Sequence, residues 1–233
     1  RWKANRLKAG LSPSTVQRDL AALKSMLNRA AKWGYASVNP AQGITVKVEK
    51  DDRVRYLTDE ERKNLELALK GRDSTKREAR LSGNVFRLER GKETLPEIES
   101  FADYLTPLVL VVMHTGMRRT EALSLCWDQV DLGHTPRITV RAATAKSGRT
   151  RHIPLNSSAV KILQQWRKQG SSKGIVFHNR GRKILRIDTA WRKLMEDAKL
   201  EDFRFHDLRH DFASRLVMAG VDLYRVKELL GHG

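Results

Sequence analysis

One stretch of this chain, residues 138–155, interrupts a sequence whose apolar residues otherwise recur mostly at helical spacing. There, two β-branched segments, ITVRAAT and RTRHIPL, flank Ala145-Lys146-Ser147-Gly148. A glycine-containing break between two such runs is the signature of a β-hairpin. Gly174-Ile175-Val176-Phe177 is a candidate third strand. A single hairpin among helices restricts the architecture to a mostly α fold with a small antiparallel β-sheet (α+β).

The helical segments carry their own start and stop signals. Ser12 and Pro13 suit the N-cap and first position of a helix over 12–33, with Val16, Leu20, Leu23, Leu27 and Ala30 on one face and Gly34 as its stop. Asn39-Pro40 breaks the pattern. From Val46 to Tyr56 the chain is charged and aperiodic, so residues 48–57 read as a linker, with an extended strand as the alternative. Thr58 and Glu61 form a capping box for a helix holding Leu65, Leu67 and Leu69. Residues 71–98 are polar and weakly periodic, compatible with a helical extension, an insertion or a loop. Phe101 to His114 is apolar enough for a buried helix; after a turn at Thr115-Gly116 a further helix holds Arg118, Glu121, Leu123 and Leu125. Helices are expected near 157–168, 188–199, 206–219 and 222–230. The opening RWKANRLKAG lacks an initiator Met and reads as the tail of a helix, which suggests a start inside a longer polypeptide.

Charge narrows the partner. Lys and Arg number 45 against 27 Asp and Glu, a formal net charge of +18 over 233 residues. Such an excess repels itself in a compact protein and favours a polyanionic partner. Cys126 is the only cysteine, which excludes a disulfide framework or a Cys-based zinc finger within the chain and suggests a reducing compartment. No run of 18 apolar residues exists, so no membrane-spanning helix is expected.

The densest chemistry lies in Phe205-His206-Asp207-Leu208-Arg209-His210. Helical spacing puts His206, Arg209 and His210 on one face, with Leu208, Phe212 and Leu216 on an adjacent, core-facing stripe. Three readings are open: a solvated basic face, a metal site built on the two histidines, and a phosphate site gripped by a guanidinium fork. Arg118 follows a glycine turn and has Glu121 one turn later to orient it; an ordinary surface ion pair fits equally well. Lys146 sits at the hairpin tip, from which a lysine reaches a groove and donates a proton, or is simply solvated. Arg149 and Arg151 suit contacts to a phosphate backbone. Leu229-Leu230-Gly231-His232 leaves His232 just past a helix.

Taken in order, TGMRRTEALSL, ATAKSGRTRHIPL, HDLRHDFAS and ELLGH resemble the catalytic domain of tyrosine recombinases, in particular the phage-integrase family, over Thr58 to Gly233. LSPSTVQRDLAALKSMLNRAAKWGYASVNPA resembles the last helices of that family's core-binding domain. The resemblance implies that residues 1–47 are the C-terminal part of a helical core-binding domain and 58–233 a catalytic domain that stops before its nucleophilic tyrosine. It assigns Arg118 and Arg209 to the scissile phosphate, Lys146 to protonation of the leaving 5′ oxygen, His206 to proton transfer and His232 to a hydrogen bond on the phosphate. Glu121 and His210 become orienting partners, and Arg119, Arg149 and Arg151 DNA contacts. The implied reaction breaks and rejoins DNA through a 3′-phosphotyrosyl link, with no cofactor and no metal, on double-stranded DNA. Self-association into a tetramer on paired sites is implied too, as is a cytoplasmic location for a bacterial or phage-encoded protein. The family's nucleophile follows the LLGH motif, whereas Tyr35, Tyr56, Tyr104 and Tyr224 all precede it; Tyr224 reads as a packing residue. A type IB topoisomerase, a DNA-binding protein without catalysis and a metal hydrolase using His206 and His210 are the alternatives.

The charge excess makes a first prediction. Duplex DNA affinity should fall steeply with salt, log K dropping roughly 0.9 per neutralised phosphate per decade of salt. A titration series that stays flat from low to physiological salt would contradict the basic chain being a DNA clamp.

Overall fold

The computed structural model describes residues 1–48, 54–143, 148–170 and 173–231. The chain divides into two compact units, Arg1–Arg53 and Val54–Gly233.

The first unit holds α1 (Trp2–Lys8) and α2 (Pro13–Lys32). Ser12 caps α2 by accepting from the Thr15 N–H at 3.2 Å, and Gly34 follows the helix in the left-handed region, φ 81°. A small core of Val16, Leu20, Ala41 and Val46 closes it. Asn39 fixes the return of the chain: its Nδ2 donates to the Lys24 carbonyl at 3.1 Å and its Oδ1 accepts from the Ala41 N–H at 2.9 Å.

In the second unit α3 (Asp59–Leu88) starts at the Thr58/Glu61 capping box. Leu65 and Leu69 are buried, whereas Leu67 lies on the opposite face and is 54% exposed. The helix runs on through much of the stretch that the sequence left open, and the segment after it returns as an extended strap. Four side chains on one helix face hold that strap: Arg77 donates to the carbonyls of Ile98 and Ser100, Arg80 to Pro96, Asn84 to Leu95 and Arg87 to Glu93. Weak apolar periodicity is expected of a segment held by side-chain-to-backbone hydrogen bonds.

α4 (Leu105–Thr115) is the buried centre, packed against α6 (Ser157–Gln169) and α8 (Asp207–Met218). Between α4 and α6 lie α5 (Arg119–Leu123) and a three-stranded antiparallel sheet of β1 (Val130–Asp131), β2 (Arg137–Val140) and β3 (Arg151–Pro154), in that order. The hairpin register pairs Ile138 with Ile153 and Val140 with Arg151. The mostly helical fold with one small antiparallel sheet is therefore as expected. The third strand is not: it is Val130–Asp131, and Ile175 makes only an isolated bridge to Cys126. The reason is the chain path, since the Leu125 and Gly174 carbonyls are taken by the N–H groups of Val176 and Trp127, which fixes residues 174–176 beside the turn before β1. A two-stranded hairpin, β4 (His178–Asn179) and β5 (Arg182–Lys183), leads to α7 (Asp188–Asp197); α9 (Leu223–Leu230) follows α8.

The second unit begins inside the stretch read as linker. Leu57 is 1% exposed, and its N–H donates to Asp211 of α8 at 3.0 Å. The Asp211 carboxylate is fully buried and also accepts from Arg62 of α3 at 3.0 Å and Arg215 of α8 at 3.3 Å. This carboxylate joins the first residues of the unit to the helix carrying His206 and Arg209. Removing one partner of a buried ion pair strands the others. Asp211→Ala is expected to cost about 3–5 kcal/mol in denaturant unfolding; a loss within about 0.5 kcal/mol, the surface-substitution range, would contradict this joint.

Candidate active site

α4 ends where Gly116 turns left-handed, φ 61°, its N–H bonded to the Val112 carbonyl. A Cβ at Gly116 would lie 2.4 Å from the Phe212 ring, so glycine is needed for conformation and for space. The turn delivers Arg118 to the start of α5. Glu121, 2% exposed, accepts from the Arg118 backbone N–H at 2.8 Å and from its Nη1 at 3.0 Å. From β3, Arg151 reaches the same carboxylate with both terminal nitrogens, at 3.0 and 2.7 Å. From α8, Arg209 donates Nη1 to the Gly116 carbonyl at 2.8 Å.

All three arginines converge on the end of α9. A helix leaves its last carbonyls unpaired and partially negative. The Leu229 carbonyl accepts from Arg151 Nε at 3.0 Å, the Leu230 carbonyl from Arg209 Nη2, and the Gly231 carbonyl from Arg118 Nη2 at 3.2 Å. Gly231 is left-handed, φ 67°, and a Cβ there would approach the Arg151 Cδ to 3.0 Å.

Three guanidinium cations around one carboxylate leave two positive charges unmatched. Burial pushes the Glu121 carboxyl up, but the Arg151 and Arg118 hydrogen bonds outweigh it and hold its pKa below the ordinary value. Burial, with Arg118 next to it, lowers Arg209 to about 10, still a cation at neutral pH. The cluster therefore keeps a net positive charge at neutral pH, with its donors held in fixed directions by Glu121 and the α9 carbonyls.

The structure places the expected residues unevenly. Arg118, Arg209 and Glu121 come together. His206 is exposed at the start of α8, its ring edge-on to the half-buried His210 with centroids 5.2 Å apart. Partial burial, the neighbouring His210 ring and the Arg209 guanidinium hold its pKa below the usual histidine value. His206 also borders an open cavity of about 600 Å³ floored by Trp191, Phe203 and Phe205. Arg119 is a surface residue paired with Asp188 at 3.1 Å, and Arg149 is exposed. Lys146 and His232 lie outside the described residues. Among the described residues, no group of three or more His, Cys, Asp or Glu is arranged to hold a metal ion.

Two expectations are corrected. Arg151, expected at the surface beside Arg149, is instead turned inward, with Nε, Nη1 and Nη2 all engaged inside the protein. Tyr224 is not packed: it is 67% exposed in the first turn of α9, while the arginines sit at the other end, roughly 9 Å along the axis at 1.5 Å per residue. The signal for Arg151 was in the sequence. Strand alternation puts it on the inner face with Ile153, and β3 reads buried, exposed, buried, exposed. The α9 carbonyls carried no signal, because backbone acceptors are the same in every sequence.

The Phage integrase family profile matches residues 92–233. The chain is 28% identical over 230 residues to the integrase of Salmonella phage P22, covering 94% of this chain and 51% of that protein. It is 30% identical to the tyrosine recombinase XerC of Roseiflexus castenholzii, covering 94% and 64% respectively. The chain thus spans about half the length of the phage P22 relative. Among solved structures, the Tn1549 transposon integrase in complex with a circular intermediate DNA superposes with a TM-score of 0.73 at 17% identity, over all of this chain and 75% of that one. A lambda integrase dimer bound to a COC′ core site gives a TM-score of 0.69 at 17% identity, over 99% and 76%. At those identities the structural likeness is one of fold. On the profile match over most of its length, with relatives that agree, the chain belongs to the phage integrase family of tyrosine recombinases.

Proposed function

We propose that this chain handles the phosphate in site-specific breakage and rejoining of duplex DNA, through a 3′-phosphotyrosyl intermediate and without a metal. The observation that carries this reading is the arginine cluster. Two unmatched positive charges are fixed by Glu121 and by the end of α9, with Arg118 still partly open to solvent at 17% exposure. Phosphoryl transfer builds negative charge on the non-bridging oxygens, and preoriented cations stabilise that charge without reorganising. Arg118 and Arg209 take that role. A phenol oxygen attacks phosphorus, the phosphodiester bond to the 5′ oxygen breaks, and the bond energy is kept in the phosphotyrosyl ester. His206, whose pKa is held below the usual histidine value, exchanges a proton there in this reading. Lys146 protonates the leaving 5′ oxygen and His232 steadies the phosphate. None of the four tyrosines of this chain is the nucleophile in this reading; Tyr224 stands at the wrong end of α9.

The DNA partner is supported by the +18 charge and by relatives solved on DNA. Domain organisation follows the same reading, with 1–47 as part of a core-binding domain, 48–57 joining it and 58–233 catalytic. Assembly as a tetramer on paired sites and action in the cytoplasm belong to it as well. No described helix is long and apolar enough to cross a membrane.

The test is a nicked duplex that traps covalent intermediates, incubated with the natural full-length polypeptide and run on a denaturing gel. A covalent adduct is expected, retained in Tyr224→Phe and in EDTA. Arg118→Ala should slow its formation on the order of 100-fold or more, the usual cost of one transition-state donor, while duplex binding weakens far less. No adduct, an adduct lost in Tyr224→Phe, or a wild-type rate in Arg118→Ala would contradict the reading.

A further inference from the structure

The geometry points to Arg151 as a positioning residue for the reaction: it occupies the Glu121 carboxylate and the end of α9 so that Arg118 stays turned toward the phosphate. The inference rests on the reading of Arg118 as a phosphate ligand. Arg151 differs from Arg118 and Arg209 in that all three of its guanidinium nitrogens are engaged inside the protein. Glu121 is the shared element. Its Oε1 accepts from Arg118 Nη1 and Arg151 Nη1, and its Oε2 from the Arg118 backbone N–H and Arg151 Nη2. A carboxylate has about four acceptor sites, and these four donors fill them.

Arg118 therefore gives Glu121 a single guanidinium nitrogen, Nη1, and directs Nη2 to the Gly231 carbonyl at 3.2 Å. Arg–carboxylate pairs prefer a two-pronged fork. Arg151 already holds that fork, so Arg118 is denied it. Without Arg151, a buried and under-neutralised Glu121 would draw Arg118 inward, and the donors meant for phosphate would turn to the carboxylate. Arg151 also lies on β3, paired with Val140 of β2, and its Nε holds the Leu229 carbonyl. One side chain thus links hairpin, α5 and α9. Lysine in its place keeps the charge but loses the fork.

Single-turnover cleavage of the nicked duplex by the full-length polypeptide, with duplex affinity measured separately, tests this. Arg151→Lys should cleave roughly 10–100-fold more slowly, the usual effect of removing an orienting partner, with affinity and salt slope unchanged. Arg151→Met should be slower still. Adding Glu121→Gln removes the inward pull, so the double variant should be several-fold faster than Arg151→Met alone. Reduced affinity with a shallower salt slope would make Arg151 a DNA contact and overturn the proposal. So would a double variant no faster than Arg151→Met, or the failure of both Arg151→Lys and the double variant to fold. Side-chain ¹⁵N resonances of Arg118 provide a readout that needs no cleavage: they should shift in Arg151→Met and return in the double variant, and unshifted resonances would overturn the proposal. A wild-type polypeptide that forms no adduct but shows this shift and return sinks the recombinase reading, and with it the role in the reaction, and leaves only the control of Arg118 orientation by Arg151.

Discussion

Three arginines and one carboxylate meeting at the end of a single helix are the constraint on which the rest of the second unit depends. Alone, each part is unfavourable. Burying an ion costs on the order of several kcal/mol, and guanidinium groups side by side repel. A helix end without partners leaves carbonyls unsatisfied. Together the parts offset one another. Leu229, Leu230 and Gly231 supply oriented carbonyl dipoles, Glu121 supplies a full negative charge, and Arg118, Arg151 and Arg209 supply the donors. These groups come from α5, β3, α8 and α9, so the elements are placed by what they must satisfy.

Two glycines make that convergence possible. Gly116 lets α4 stop against Phe212 and offers its carbonyl to Arg209; Gly231 lets the chain leave α9 against the Arg151 stem. Both are left-handed; a methyl group at Gly116 would collide with the Phe212 ring, and one at Gly231 would crowd the Arg151 side chain. On the far side of α8, Asp211 holds Leu57 and Arg62, so the helix that presents Arg209 is fixed along its length. Donors already oriented in this way can stabilise developing negative charge without reorganising, which is why the proposed phosphoryl transfer suits them.

Much of this was legible in the sequence, and its limits have physical causes. The capped helices were visible because caps are local: Ser12 and Thr58 stand where the structure places helix starts. The hairpin was visible because its period changes from helical to alternating. The third strand was misplaced because a two-residue strand such as β1 has no period to read. Arg118 with Glu121 was legible as an i, i+3 pair. Arg209 on a face with His206 and His210 was only partly right: the histidines do share a face, but the guanidinium turns inward to carbonyls more than 20 residues away in sequence or further. Arg151 was assigned to DNA because charge alone suggested the surface, whereas its strand register pointed inward.

The central claim is that Arg118 and Arg209 grip one phosphate while the end of α9 holds them. A crystal structure of the natural full-length polypeptide on duplex DNA tests it most directly. The expected result has both guanidinium groups within hydrogen-bond distance of the same phosphate, Arg118 still bonded to Glu121 and the Gly231 carbonyl, Arg209 to the Leu230 carbonyl, and Arg151 without a DNA contact. A phosphate bound elsewhere, or reached only after the arginines have left the α9 carbonyls, would contradict it.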